Sequence, residues 1–190
     1  LTDWLLLTKA ARNFVDQQSS GPVLEHFCDD DDCPVLSDLV QSDNMAGSAQ
    51  LRLFRTKDIP NPNEYVQALN GEFSRWAFDE EGAPSRRGQW RSEVFMTAPE
   101  SPLDLEIGTG NGYHFAHRAA ACPDRQLVGI ELKFKPLIQS VRRAVNAGAT
   151  NMRGVRYNAR MLGDLFAPGE LNQVFIHFPD PWEKKRQQKH

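Results

Sequence analysis

The chain has little of what would place it outside the ordinary run of folded domains. Three cysteines in 190 residues, Cys28, Cys33 and Cys122, are too few for a disulfide scaffold, and a reducing, cytoplasmic setting is expected. No apolar run reaches the roughly 18 residues of a membrane span, and the apolar opening Leu1 to Leu7 is too short for a secretory signal and contains Asp3. No association with a membrane is expected. Cys28 and Cys33 flank four aspartates, yet structural zinc sites use short cysteine pairs in sets of four ligands. This stretch is therefore expected to be a solvated acidic turn, and no metal is expected. Charge is not extreme either: 25% of residues are charged, 40% are hydrophobic and the net charge is −3, all ordinary for a globular protein.

That small net charge conceals an asymmetry. Residues 1–50 carry 2 basic and 9 acidic side chains, while residues 51–190 carry 20 basic and 16 acidic ones. The two parts are read separately. In 1–20, Trp4, Leu5, Leu7, Ala11, Phe14 and Val15 follow a loose helical period that Gly21-Pro22 stops. Residues 1–50 are expected to form an acidic, mostly helical extension of unknown role. The chain begins at Leu1 and stops at His190 inside a basic run, so both ends are expected to be cut.

From Leu51 the texture changes. Pro62 stops upstream helix and Asn63 is a good cap, so a helix is expected from there, with Tyr65, Leu69, Phe73 and Trp76 facing the core. Arg86, Arg87 and Arg91 surround Trp90. That interleaving suits a phosphate backbone beside an unstacked base and equally suits a solvated loop. From Pro102 strands and helices alternate: strands at 103–108, 126–132, 152–159 and 171–180, with helices after the first two. This rhythm predicts a doubly wound, Rossmann-like α/β sheet, which binds ligands beyond the carboxyl ends of its strands. Residues 51–100 read as a preceding region and 101–190 as the ligand-binding core.

The first turn of that core is "EIGTGNGYH", with Glu106, Gly108, Gly110 and Gly112. Its spacing is not the G-x-G-x-x-G of a dinucleotide site. Glycines at 108, 110 and 112 leave room for an amino-acid moiety and a ribose, which suits S-adenosylmethionine. Glu131 ends the second strand, where a carboxylate can accept both hydroxyls of a ribose. Asn158 ends the third strand and offers an amide to an adenine edge, or simply closes a turn. The fourth strand leads into "FPDPWEKKRQQKH". Pro179 and Pro181 stiffen the backbone around Asp180, which faces the substrate and can accept N–H bonds from a base. Lys184, Lys185, Arg186 and Lys189 offer charge to phosphates.

The stretches "LEIGTGNG", "VGIELK", "NARMLGDLF" and above all "FIHFPDPWEKKRQQKH" resemble the bacterial tRNA (guanine-N7)-methyltransferases. The resemblance runs from about Leu51 to His190. It implies a class I fold, S-adenosylmethionine as cofactor, and transfer of a methyl group to N7 of a variable-loop guanine in tRNA. By position it implies a cofactor site of Glu106, Gly108, Gly110, Gly112, Glu131, Asn158 and Asp180, with Asp180 catalytic. It also implies tRNA contact by Lys184, to which Arg186 adds charge, in a monomer or homodimer. Asn158 departs from the family, which usually has Asp there. The family's C-terminal Asp and Thr-x-x-Glu motif do not occur before His190, so the sheet is expected to be incomplete on that side. Two other readings stand beside this one. One is a non-catalytic RNA-binding module or inactive truncated copy. The other is a different S-adenosylmethionine-dependent methyltransferase. The order Asp-Pro-Trp disfavours amino-methylation of a base, whose motif is Asp/Asn-Pro-Pro-aromatic, and the basic cluster disfavours a small-molecule substrate.

Overall fold

A computed structural model describes residues 55–176 and the backbone of 23–25. The helical pattern in 1–20, the acidic turn at Cys28–Pro34, and Asp180, Lys184 and Arg186 lie outside the described residues. The strands are β1 (Val23–Glu25), β2 (Ala77–Phe78), β3 (Leu103–Ile107), β4 (Gln126–Glu131), β5 (Met152–Arg156) and β6 (Gln173–Ile176). They form one sheet in the order β1-β6-β3-β4-β5-β2, and every pairing is parallel. The expected sheet is therefore present. Its four long strands, β3 to β6, fall within the four stretches expected as strands and are mostly buried.

Three α-helices are described: α1 (Glu64–Asn70), α2 (Tyr113–Ala121) and α3 (Phe134–Asn146). They cover one face of the sheet, where Leu69, Phe115, Leu137, Ile138, Val141 and Met152 form a buried core. On the other face the segments 83–95 and 159–166 close a second core around Trp90, Leu105, Val128, Val155 and Phe166. Among the described residues no helix is long and apolar enough to cross a membrane.

Three local expectations change. Asn63 does cap α1, its side chain accepting from Tyr65 N–H at 3.0 Å and Val66 N–H at 3.1 Å. But α1 ends at Asn70, because Gly71 takes φ −112°, ψ −101°, far from helical values. Phe73 and Trp76 reach the core from turns instead. Within the stretch read as a helical extension, the described backbone is a strand: Val23–Glu25 pairs in parallel with Gln173–Phe175. Finally, the Arg86–Arg91 loop is not a phosphate-facing platform. Trp90 is fully buried. Its indole N–H donates to the Leu165 carbonyl at 2.7 Å, and its ring stacks on Phe166 and meets Phe78 edge-on. Arg86 pairs with Glu93, Arg87 donates to the Gly163 carbonyl, and Arg91 donates to the Ser101 carbonyl and to Asn172. The guanidinium of Arg91 is drawn below its ordinary pKa by burial. A buried indole needs an acceptor for its one N–H, and the loop is folded around supplying it.

Candidate active site

Successive strands run from β3 outward to β4 and β5 on one side, and the chain then returns to place β6 on the other side of β3. The crevice at that reversal, beyond the carboxyl ends of the strands, is where such sheets take ligands. The glycine turn fills it. Gly108, Gly110 and Gly112 have φ of +77°, +51° and +78°, a region that costs other residues conformational energy. Gly112 has a second reason to lack a side chain: a Cβ there would lie 2.2 Å from Ser140 Cα, so α2 and α3 approach each other through it. A Cβ on Gly110 would meet nothing nearer than the Gly108 carbonyl at 4.0 Å. The backbone there is open to a ligand.

Glu131 ties this turn to the next. Its Oε2 accepts from Gly110 N–H at 3.2 Å, and its Oε1 accepts from the N–H groups of Leu132 and Lys133 at 2.8 and 3.0 Å. A carboxylate has about four acceptor positions, and Glu131 is half-buried, so a hydroxyl can add to these bonds. Asn158 closes a turn. Its side-chain oxygen accepts from Arg160 N–H at 3.0 Å as the cap of the 3-10 turn Ala159–Asp164.

Glu106 lies on β3, the strand at which the order reverses, two residues before Gly108. Its side chain is 1% exposed, and its Oε2 is 2.8 Å from Nδ1 of His114, which is 32% exposed. In register it stands opposite Phe175 of β6 and Gly129 of β4. The structure thus brings together Glu106, Gly108, Gly110, Gly112 and Glu131 at one end of the sheet, the end at which β6 finishes with Ile176.

Several features of this end were not legible as site features in the sequence. His114 is one. Tyr113, Leu132 and Met161 are others: large, exposed, and each placed just after the carboxyl end of β3, β4 or β5. Exposed apolar side chains at the strand ends that carry the glycine turn and Glu131 suit a small-molecule site. Next to Glu131 in register, Arg156 is buried beneath the Phe134 ring and pairs with Glu80 at 2.6 Å. Burial alone would raise the Glu80 carboxyl. The Thr56 N–H and hydroxyl, together with Arg156, outweigh it and hold Glu80 below its ordinary value. Tyr157, buried and donating to Asp164 at 2.9 Å, is pushed up by that burial and by the carboxylate. Among the described residues no group of three or more His, Cys, Asp or Glu side chains is arranged to hold a metal.

A doubly wound parallel sheet with an acidic-x-G-x-G-x-G turn at its reversal and an acid ending the next strand is the Rossmann-like architecture of class I methyltransferases. Residues 100–190 match a protein family described as "Putative methyltransferase". The resemblance read from the motifs is borne out by that match and by the relatives of this chain. The chain is 56% identical over 122 residues to a tRNA (guanine-N(7)-)-methyltransferase of Bdellovibrio bacteriovorus, covering 64% of this chain and 58% of that one. It is 38% identical over 103 residues to the protein of the same name from Listeria monocytogenes serotype 4b, covering 54% and 47%. With the one from Geobacillus kaustophilus it shares 37% identity over 105 residues, covering 55% and 47%. The chain therefore spans about half the length of the curated relatives it matches.

Proposed function

We propose that this chain carries the cofactor-binding part of a tRNA (guanine-N7)-methyltransferase that uses S-adenosylmethionine. One observation carries the reading. The three left-handed glycines are locked to Glu131 through the Gly110 N–H at the reversal of the sheet, within a chain whose relatives bear that name. The residues fit the cofactor. The open backbone at Gly110 takes an amino-acid moiety, Glu131 takes ribose hydroxyls, Glu106 offers negative charge to an ammonium, and Leu132 and Met161 offer apolar surface to a purine. Asn158, with its oxygen committed to Arg160, has its N–H donors for an adenine ring nitrogen. Bound there, S-adenosylmethionine supplies a sulfonium methyl group to the lone pair of guanine N7.

That nitrogen carries no proton at neutral pH, so no general base is needed for the transfer itself. What the protein contributes is alignment and stabilisation of the positive charge that the purine gains. In this reading Asp180 does both, accepting from the N–H edge of the guanine while holding it against the methyl group, and Lys184 and Arg186 hold the tRNA backbone. The test is incubation of the protein with isotopically labelled S-adenosylmethionine and bulk tRNA, followed by nucleoside analysis. Label in 7-methylguanosine is the expected result. Label in another nucleoside, or in none, removes the reading.

A further inference from the structure

Of the three large side chains exposed after β3, β4 and β5, the cofactor reading above uses Leu132 and Met161. Tyr113, the first residue of α2 and 70% exposed, has no part in it. Its surroundings are set by Gly112, whose missing Cβ lets the start of α2 come against Ser140 of α3. Arg143 stands one turn beyond Ser140, and a helical side chain leans back toward the N-terminus of its helix. It thereby reaches the residue after Gly112. The guanidinium carbon lies 3.7 Å from the centroid of the Tyr113 ring, and Nε donates to the Asn111 carbonyl at 3.1 Å. A fixed cation covers one face of the ring, and the other face and the edge stay open. The neighbouring Arg142 is engaged differently: it lies over Phe73 and pairs with Glu72 at 3.6 Å. Among the described residues no carboxylate pairs with Arg143.

We propose that Tyr113 and Arg143 form a docking platform for single-stranded RNA: an unpaired nucleobase stacks on the open face of the Tyr113 ring, and Arg143, on the opposite face, takes a phosphate of the same strand through its Nη groups. The inference rests on the tRNA reading above and names a contact of that substrate. An aromatic ring beside a cation suits a single strand, because every base has a π-face and every nucleotide carries a charge. The pair does little for the fold. An exposed arginine–tyrosine contact adds little stability, and the buried side of α2 is made by Phe115, Ala116 and Ala119. The platform is also ordered before anything binds, since the guanidinium backs the ring and the Asn111 carbonyl holds the guanidinium. Groups already held in place lose less freedom on binding. Its position directly after Gly112 puts it at the rim of the crevice, next to where a substrate base has to meet the cofactor. Trp90, the aromatic that the sequence offered for such a contact, is buried. Tyr113 and Arg143 place the same chemistry at the surface, from two helices.

The test uses the 190-residue chain and an unmodified tRNA transcript, with affinity measured by fluorescence anisotropy at several salt concentrations, alongside thermal unfolding. Tyr113→Leu removes the π-face and keeps apolar bulk, Tyr113→Phe keeps the face, and Arg143→Gln removes the charge. Affinity is expected to fall about fivefold or more in Tyr113→Leu with the salt slope unchanged, and to stay within about twofold of wild type in Tyr113→Phe. Arg143→Gln is expected to lower affinity and to flatten the log–log salt slope by about 0.7, the value of one single-strand phosphate contact. Wild-type affinity in Tyr113→Leu overturns the inference, and so does an unchanged salt slope in Arg143→Gln. Equal weakening in Tyr113→Leu and Tyr113→Phe overturns it too, as does a loss of affinity matched by a loss of thermal stability, which makes the ring a prop for the helix pair only. Should Tyr113→Leu not fold, Tyr113→Trp decides: the larger face is expected to raise affinity, and an affinity at or below wild type overturns the proposal. A wild-type chain that binds no tRNA removes the tRNA reading itself and this inference with it, an outcome distinct from the others.

Discussion

Asp104 and Glu106 lie on the same strand, point to the same face and are both fully buried, yet they are treated differently. Asp104 is closed. Arg125 grips both of its oxygens at 2.7 and 2.6 Å, Arg118 adds a bond at 3.0 Å, and Gln173 accepts a further bond from Arg118 at 2.6 Å. Those hydrogen bonds to Asp104 hold the Arg125 guanidinium above its ordinary pKa. Glu106, one pleat nearer the ligand end, meets an imidazole that is one-third exposed. A buried carboxylate that stabilises the fold is surrounded by fixed charge. Glu106 is paired instead with a ring that reaches the surface.

The largest effect should come from breaking the closed site. Asp104→Ala leaves two guanidiniums facing a cavity, and removal of one partner from a buried ion pair typically costs about 3–5 kcal/mol. Urea unfolding should show that loss, and a loss below about 1 kcal/mol would mean that solvent reaches the pair. Next comes the contact that sets both pairs at once. Gly112→Ala forces a Cβ against Ser140 Cα at a left-handed φ. Overpacking and backbone strain together should cost about 2–4 kcal/mol, measured in the same way, and should weaken cofactor binding because the turn moves with the helix.

Glu106→Gln sharpens the contrast from the other side. It keeps the shape and one acceptor, so stability should fall by only about 1 kcal/mol, while S-adenosylmethionine affinity should fall by about tenfold or more. If stability falls as far as in Asp104→Ala and affinity does not change, Glu106 is a structural acid like its neighbour. The smallest effect concerns Glu80, another largely buried carboxylate, paired with Arg156 and following the edge strand β2. Its pKa is lowered in the folded protein from about 4.5. The stability it contributes is therefore fully present above that value and is lost as pH falls through the lowered one. The difference in unfolding free energy between wild type and Glu80→Gln should be constant near neutrality and shrink only under acid. A difference that grows under acid would reverse the sign of the linkage.

Much of the sheet was legible because its signals are local. Each of the strands 103–107, 126–131, 152–156 and 173–176 is mostly buried and built around a few apolar residues, and Asn63 caps by chemistry internal to three residues. β2 was not legible, since two residues carry no period. Trp90 was misleading for a different reason. Arginines around an indole look the same in sequence whether the ring stacks on a base or on Phe166, and only the Leu165 carbonyl, 75 residues away, decides which. Basic and aromatic side chains do interleave elsewhere, where Arg153 lies between Trp76 and Phe95. There burial, with the nearby charge of Arg75, brings the arginine down to about 10. The candidate site was readable as a set, since the glycine turn and Glu131 sit at strand ends that the apolar runs already mark. His114 was not, because a histidine in the first turn of a helix has no distinguishing neighbour in the chain.

The sequence by itself determined the order of strands and helices, the glycine turn at the first strand end and the acid at the second. Hydrophobic period, glycine conformation and capping each act within a few residues, so they are written where they act. The tertiary structure alone decided which partner each carboxylate received, which arginines were spent on backbone carbonyls, and that Val23–Glu25 runs beside β6. Those outcomes depend on strand register and on how closely α2 can approach α3. Both are set by contacts between residues far apart in the chain, such as the bare Cα of Gly112 against Ser140.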